Sequence, residues 1–262
     1  MKQPKALIME GYGVNCEQES GHCIKEAGGI AKRVHINDLL DGHERLRDYQ
    51  ILVLPGGFSF ADNLGAGSVW AAKLKHNLGS ELMSFIKKKK LIIGVCNGFQ
   101  AMVRLGILPA INGNYGEQTV TLTANERGRF EDRWVYLRIN PKSRCIFTKG
   151  IRNLYLPVRH GEGRFLPRDQ KVLEALEKNE QVVAWYVNSR GKFAGYPHNP
   201  NGSAGSIAAI CDPAGRLFGI MPHPEAYNHR ICHPRWTRET LPEEGLGMAI
   251  FRNAVEYARE HF

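Results

Sequence analysis

Three short apolar runs, Lys5 to Glu10 (KALIME), Ile51 to Leu54 (ILVL) and Leu91 to Val95 (LIIGV), each end in a glycine-containing turn and are separated by stretches of helical pattern. Apolar character that is continuous rather than alternating suits a strand buried on both faces. Helices between such strands supply the crossovers of a parallel sheet. A helix is expected from about Cys16 to Ala27, stopped by Gly28-Gly29, and a strand from Ala31 to Ile36. A long helix is expected over Ser68 to Lys87, and a short one after Cys96-Asn97-Gly98 to about Leu105. The pattern predicts an α/β fold with a mostly parallel central sheet and helices on both faces.

The second half changes character. Trp134 to Ile139, Tyr155 to Val158, Val182 to Val187, Ser206 to Cys211 and Leu217 to Met221 read as strands with short connections. Asp212-Pro213-Ala214-Gly215 has the chemistry of a hairpin turn between the last two. These are antiparallel additions to the sheet, followed by a final helix from about Gly245 to Glu260. No repeat, low-complexity tract or linker divides the chain, so one domain over residues 1–262 is expected.

Composition excludes several classes. Apolar residues make up 43% and charged residues 23%, as in ordinary globular enzymes. No run approaches the roughly 18 apolar residues of a membrane span. The start, MKQPKALIMEGYG, lacks the long apolar core and small-residue cleavage site of a secretory signal, so a cytoplasmic location is expected. A basic surface with net charge +9 can meet nucleic acid, an acidic partner or a phosphorylated substrate, but no RNA-binding signature or aromatic-interleaved basic stripe accompanies it. Neither nucleic acid nor membrane is expected as a partner. The run Lys87-Lys88-Lys89-Lys90 reads as a solvated cap on the negative end of a helix. The six cysteines form no C-x-x-C pair and read as reduced thiols, most of them in the core.

Cys96 stands apart. Gly94-Val95-Cys96-Asn97-Gly98 places it at the carboxyl end of a buried strand with a glycine two residues to either side. Such a pattern allows the sharp strand-to-helix turn that lifts a nucleophile out of a sheet. The helix N-terminus would raise the thiolate fraction, and the Asn97 N–H would point at an oxyanion on the attacked carbon. By this pattern alone, Cys96 is equally a core thiol flanked by packing glycines. Met221-Pro222-His223-Pro224-Glu225 supplies a base and its orienter. Two residues apart in extended backbone, His223 and Glu225 share a face, and the prolines hold that shape. A Cys96–His223–Glu225 triad is therefore available. Pro55-Gly56-Gly57 ends a strand expected beside that of Cys96, and an N–H of Gly56 or Gly57 can be the second oxyanion donor.

Together, Gly94-x-Cys96-x-Gly98-x-Gln100, the upstream Pro55-Gly56-Gly57 and the downstream Pro222-His223-Pro224-Glu225 resemble the class I glutamine amidotransferases. The segments PGGFSFADNLGAG (55–67), GVCNGFQAMVRLGILP (94–109), LPVRHGEGRF (156–165) and NPNGSAGSIAAICDPAGRLFGIMPHPE (199–225) are similar to one branch, the glutaminase subunits of phosphoribosylformylglycinamidine synthase. The resemblance implies a flavodoxin-like fold and a Cys96 thioester that water resolves to glutamate. It also implies that ammonia passes to a separate synthetase chain, which binds ATP with magnesium and formylglycinamide ribonucleotide, and that a small third subunit can accompany the pair. No cofactor or metal is implied for this chain itself. Gln100, His160 and Gly161 match positions that shape the glutamine pocket, within the His160-Gly161-Glu162-Gly163 loop. Weak activity in the absence of the partner is a further implication. One departure is that Ala226 stands where an arginine commonly follows Pro-His-Pro-Glu, and 226–244 forms an extended tail.

Other readings remain. His229, Cys232 and His233 in the tail lack standard zinc spacing and read as exposed loop residues. PfpI- and DJ-1-type cysteine hydrolases also use an elbow cysteine, but often with histidine directly after it, where Asn97 stands here. A glutaminase serving another synthetase and a non-catalytic module with a relic triad are further options. Gly11-Tyr12-Gly13 alone is a weak phosphate-binding signal.

Overall fold

A computed structural model describes residues 3–262. In chain order the elements are β1 (Lys5–Glu10), α1 (Glu17–Glu26), β2 (Ile30–His35), α2 (Ile36–Leu40), β3 (Ile51–Leu54), α3 (Ser68–Lys87), β4 (Leu91–Val95) and α4 (Asn97–Arg104). Then follow β5 (Val120–Thr123), β6 (Glu131–Ile139), β7 (Asn153–His160), β8 (Arg164–Pro167), α5 (Gln170–Lys178), β9 (Val182–Val187), β10 (Ile207–Cys211), β11 (Leu217–Ile220) and α6 (Met248–His261). One nine-stranded sheet runs β2-β1-β3-β4-β11-β10-β9-β6-β7. Strands β2, β1, β3, β4 and β11 are mutually parallel, and β10, β9, β6 and β7 continue the sheet antiparallel. This is the α/β arrangement read from the sequence.

The strand order positions the site. From β1 the chain steps outward to β2, whereas from β3 it steps the opposite way to β4. Right-handed crossovers then place α1 and α3 on opposite faces. Accordingly α1 packs with α6, and α3 packs with α4, which lies on β3, β4 and β11. The order reverses between β1 and β3, and at such switch points ligands bind beyond the carboxyl ends of the strands. The turns after β1 and β3 meet there through a bridge between Val14 and Gly57. Strands β3 and β4 are buried at every position, which is why their sequences are wholly apolar.

Several details differ from the sequence reading. A small second sheet pairs β5 with β8, and α5 follows it. The two strands are four residues each, one contains Pro167, and forty residues separate them, so no local pattern marks them. Helix α5 did carry a signal, because Asp169 caps it by accepting from the Val172 N–H at 2.9 Å. Lys90 is not part of a solvated cap. It is buried, and its ammonium donates to the carbonyls of Arg47 (2.7 Å) and Tyr49. Among the described residues, no helix is long and apolar enough to cross a membrane.

Candidate active site

Cys96 caps β4 with φ 49° and ψ −104°, a sparsely populated conformation for a residue with a side chain. Two glycines permit it. A Cβ on Gly98 would lie 1.9 Å from the Leu54 carbonyl oxygen, and one on Gly94 would lie 2.5 Å from the Met102 sulfur and 2.7 Å from the Gly98 carbonyl carbon. Any side chain at either position would push α4 away from the sheet. The Cys96 N–H remains tied to the Ile220 carbonyl at 2.8 Å, and its carbonyl accepts from the Gln100 N–H at 3.0 Å as α4 begins. The thiol therefore sits where sheet ends and helix starts, 4% exposed, with Sγ 3.7 Å from the Arg159 carbonyl. In first position of α4, the Asn97 N–H has no intrahelical acceptor.

His223 reaches the same place because β11 lies parallel beside β4, in a register that pairs Ile220 with Val95. The chain leaving β11 thus emerges at the end that carries Cys96. A hydrogen bond from the His223 N–H to the Pro157 carbonyl (2.8 Å) fixes the segment against β7. His223 Nδ1 and Glu225 Oε1 are 2.5 Å apart, and both side chains are almost fully buried. Burial opposes the imidazolium, but the Glu225 carboxylate and then the neighbouring Cys96 and Cys16 sulfurs outweigh it. The His223 pKa lies well above its ordinary value. Its Nε2 has no hydrogen-bond partner among the described residues.

Cys16, counted with the core thiols in the sequence, lies with its Sγ 4.0 Å from His223 Nδ1. Burial holds its thiol pKa above the ordinary range. It is a neutral neighbour of the ring, and nothing in its local sequence signals that position. Cys16, His223 and Glu225 offer ligand atoms within 4.8 Å of one another, and are the one such grouping of metal-capable side chains among the described residues. The His223 and Glu225 atoms already bond each other. The tail histidines do not join them. His233, expected to be exposed, is 4% exposed and packs against Trp134, Tyr155 and Tyr227.

Gly56 and Gly57 stand opposite. The Gly56 carbonyl accepts from the N–H groups of Asn15 and Cys16, both at 3.3 Å. A Cβ there would lie 2.7 Å from His223 Cε1, so the imidazole packs directly on this glycine. Gly57 has φ 141° and closes on Val14; its N–H makes no hydrogen bond within the described residues. Gln100 Nε2 donates to the Glu162 carbonyl at 2.6 Å, and Gln100 Oε1 accepts from Asn97 Nδ2 at 2.9 Å. That ties the loop 160–163 to the elbow. Gly161 belongs to this loop, and its carbonyl accepts from the Asn125 N–H at 2.8 Å. The His160 ring turns inward to Asn125 (3.1 Å) and Asn201 (3.4 Å), and burial lowers its pKa to about 3. His160 thus anchors the loop by its ring.

The arrangement is a buried thiol at a helix N-terminus, an imidazole held by a carboxylate, and unbonded N–H groups at Asn97 and Gly57 among the described residues. It can form and hydrolyse a thioester. Comparison with known proteins places the chain in a family. Residues 3–258 match the CobB/CobQ-like glutamine amidotransferase domain. The chain is 45% identical to the phosphoribosylformylglycinamidine synthase subunit PurQ of Methanococcus maripaludis, covering 97% of this chain and 98% of that one. It is 46% identical to the PurQ subunit of Dehalococcoides mccartyi, over 99% of this chain and 100% of that one. Among solved structures it superposes on a chain of PurLQS from Thermotoga maritima with a TM-score of 0.74 at 27% identity, covering 98% and 99% of the two chains. A match over nearly the whole length, to relatives of the same length, leaves one assignment: the chain belongs to the CobB/CobQ-like glutamine amidotransferase family.

Proposed function

We propose that this chain is the glutaminase subunit of a phosphoribosylformylglycinamidine synthase. The observation that carries the reading is the full-length similarity to PurQ subunits, joined to a cysteine elbow with a histidine–carboxylate pair beside it. On this reading Cys96, as thiolate, attacks the side-chain amide carbon of glutamine. His223 holds the proton and delivers it to the departing nitrogen, so ammonia leaves and a Cys96 thioester remains. His223 then takes a proton from water, which attacks the thioester and releases glutamate. Glu225 orients His223 and stabilises its charged form. The N–H of Asn97 and that of Gly57 or Gly56 receive the oxyanion in both steps. Gln100 and the loop of His160 and Gly161 shape the glutamine pocket.

Ammonia passes to a PurL-type synthetase chain, with a small PurS-type subunit completing the assembly, as the composition of PurLQS suggests. ATP and magnesium belong to that synthetase. The 262 residues act as one glutaminase domain in the cytoplasm. Contact with the synthetase orders the Gly56-Gly57 turn, so the chain alone is weakly active.

The test is glutamate release from glutamine by the purified chain, alone and with the synthetase chain, formylglycinamide ribonucleotide and ATP. Release that rises with the partner and vanishes in Cys96→Ala is expected. Silence in a mixture that still makes product from free ammonia would overturn the reading. Equal rates with and without the partner would remove the ordering step only.

A further inference from the structure

Of the four lysines in the run 87–90, Lys90 alone turns inward and is 7% exposed. It precedes β4, so it lies at the end of the sheet opposite Cys96. At about 3.3 Å per residue the two are roughly 20 Å apart. Lys90 Nζ donates to the carbonyls of Arg47 and Tyr49 and sits 5.0 Å from the centre of the Phe85 ring. An ammonium has three N–H donors, so one is left over. Among the described residues the lysine ion pairs are those of Lys32 and Lys142, and Lys90 has none. Asp48 acts on it only from a distance and pairs with Arg47 at 4.0 Å. Burial, and then the Lys88 charge, hold the Lys90 pKa below the ordinary lysine value. A buried charge normally has a counter-charge. Lys90 instead faces a cavity.

That cavity, of about 290 Å³, lies between the segment 45–47 and the end of α3. Arg45, Arg47, Lys88 and Lys90 line it against a single carboxylate, Glu81, and Ser84 adds a hydroxyl. The carbonyl end of α3 contributes about half a negative charge, too little to balance that excess. Guanidinium forks and ammonium groups gathered round a small space suit an anion with several terminal oxygens. A carboxylate offers two oxygens and one charge, whereas a phosphoryl group offers three oxygens and a charge near −2. The volume is at the small end for ligand pockets, which fits a phosphoryl group on a short stem and not a dinucleotide. We propose that this cavity binds a phosphoryl group, carried by a small phosphate monoester or as free phosphate. Lys90 supplies the buried charge, and Arg45, Arg47 and Lys88 close over the oxygens. The site is separate from the cysteine centre and does not depend on the glutaminase reading.

Isothermal titration calorimetry of the full chain at fixed ionic strength is the test. The probes are ribose 5-phosphate, inorganic phosphate, ribose and hexaglutamate. Both phosphates are expected to bind and ribose is not. The double variant Arg45→Gln with Lys88→Gln changes two exposed side chains and should weaken binding about tenfold or more. Glu81→Gln removes the opposing charge and should tighten it severalfold. Lys90→Gln should lose binding while keeping a cooperative urea transition; if it does not fold, the exposed variants decide. An ester that binds more tightly than free phosphate identifies a monoester as the ligand, and equal affinities identify free phosphate. The proposal is overturned if neither phosphate binds at millimolar concentration, or if the double variant and Glu81→Gln bind as wild type does. Hexaglutamate bound as tightly as the phosphates would mark a diffuse basic surface and overturn it as well.

Discussion

Gly98→Ala is the sharpest single test of how the fold makes the nucleophile. The added methyl would sit 1.9 Å from the Leu54 carbonyl oxygen and 2.6 Å from its carbon, both backbone atoms that cannot rotate aside. Comfortable non-bonded contact needs roughly 3.5 Å, so α4 and β3 must part by on the order of 1.5 Å. Overpacking of this kind costs about 3 kcal/mol, offset by about 0.5–1 kcal/mol from replacing glycine in a helix. A net loss of about 2 kcal/mol is expected in urea unfolding. The functional effect is larger, because the same shift carries the Asn97 N–H and the sulfur off their positions. A misplacement of about 1 Å costs roughly a hundredfold in rate, and losing one oxyanion donor costs as much or more. Glutamate release should therefore fall by at least about two orders of magnitude. Gly79→Ala in α3 is the control: a Cβ there meets nothing within 4 Å. It should gain about 0.5–1 kcal/mol and leave activity unchanged. A Gly98→Ala protein as stable as wild type, with glutaminase activity within threefold, would refute the close-packing account of the elbow.

Two other perturbations address the buried histidines. Glu225→Gln removes the carboxylate that raises the His223 pKa; kcat/KM for glutamine should drop roughly 10²- to 10⁴-fold. The alkaline limb of its pH profile, which reports loss of the imidazolium, should move to lower pH, and an unmoved limb would argue against the ion pair. His160 concerns stability: burial takes its pKa from 6.5 to about 3. As pH falls below 6.5 the unfolded chain binds a proton that the folded ring refuses, so stability present above that pH is lost on acidification. The slope approaches about 1.4 kcal/mol per pH unit, or about 2 kcal/mol between pH 7 and pH 5. His160→Gln should show that much less acid destabilisation in urea titrations at the two pH values; parallel curves would contradict it.

Much of the architecture was legible before any coordinates. Strands β1, β3 and β4 declared themselves because burial on both faces demands unbroken apolar sequence. The turn at Cys96 was legible because it needs small residues at two set offsets. The His223–Glu225 contact was legible because residues two apart in extended backbone share a face. These are short-range consequences of backbone geometry. The β5–β8 pair, the inward turn of the His160 ring, the burial of Lys90 and the aromatic packing of His233 were not legible. Each depends on partners dozens of residues away, Trp134 and Tyr155 in the case of His233.

The sequence by itself determined which residue types stand at the elbow and in the Pro-His-Pro-Glu segment, and the local shape that presents each one. Tertiary structure decided what stands next to them: β11 beside β4, which brings His223 to the end that carries Cys96; Cys16 under the imidazole; and the Glu162 carbonyl on Gln100. The division has a physical cause. Periodicity and turn chemistry act over a few residues and leave their mark in the chain. Adjacency across the sheet is set by the order in which crossovers add strands, and no local stretch of sequence records it.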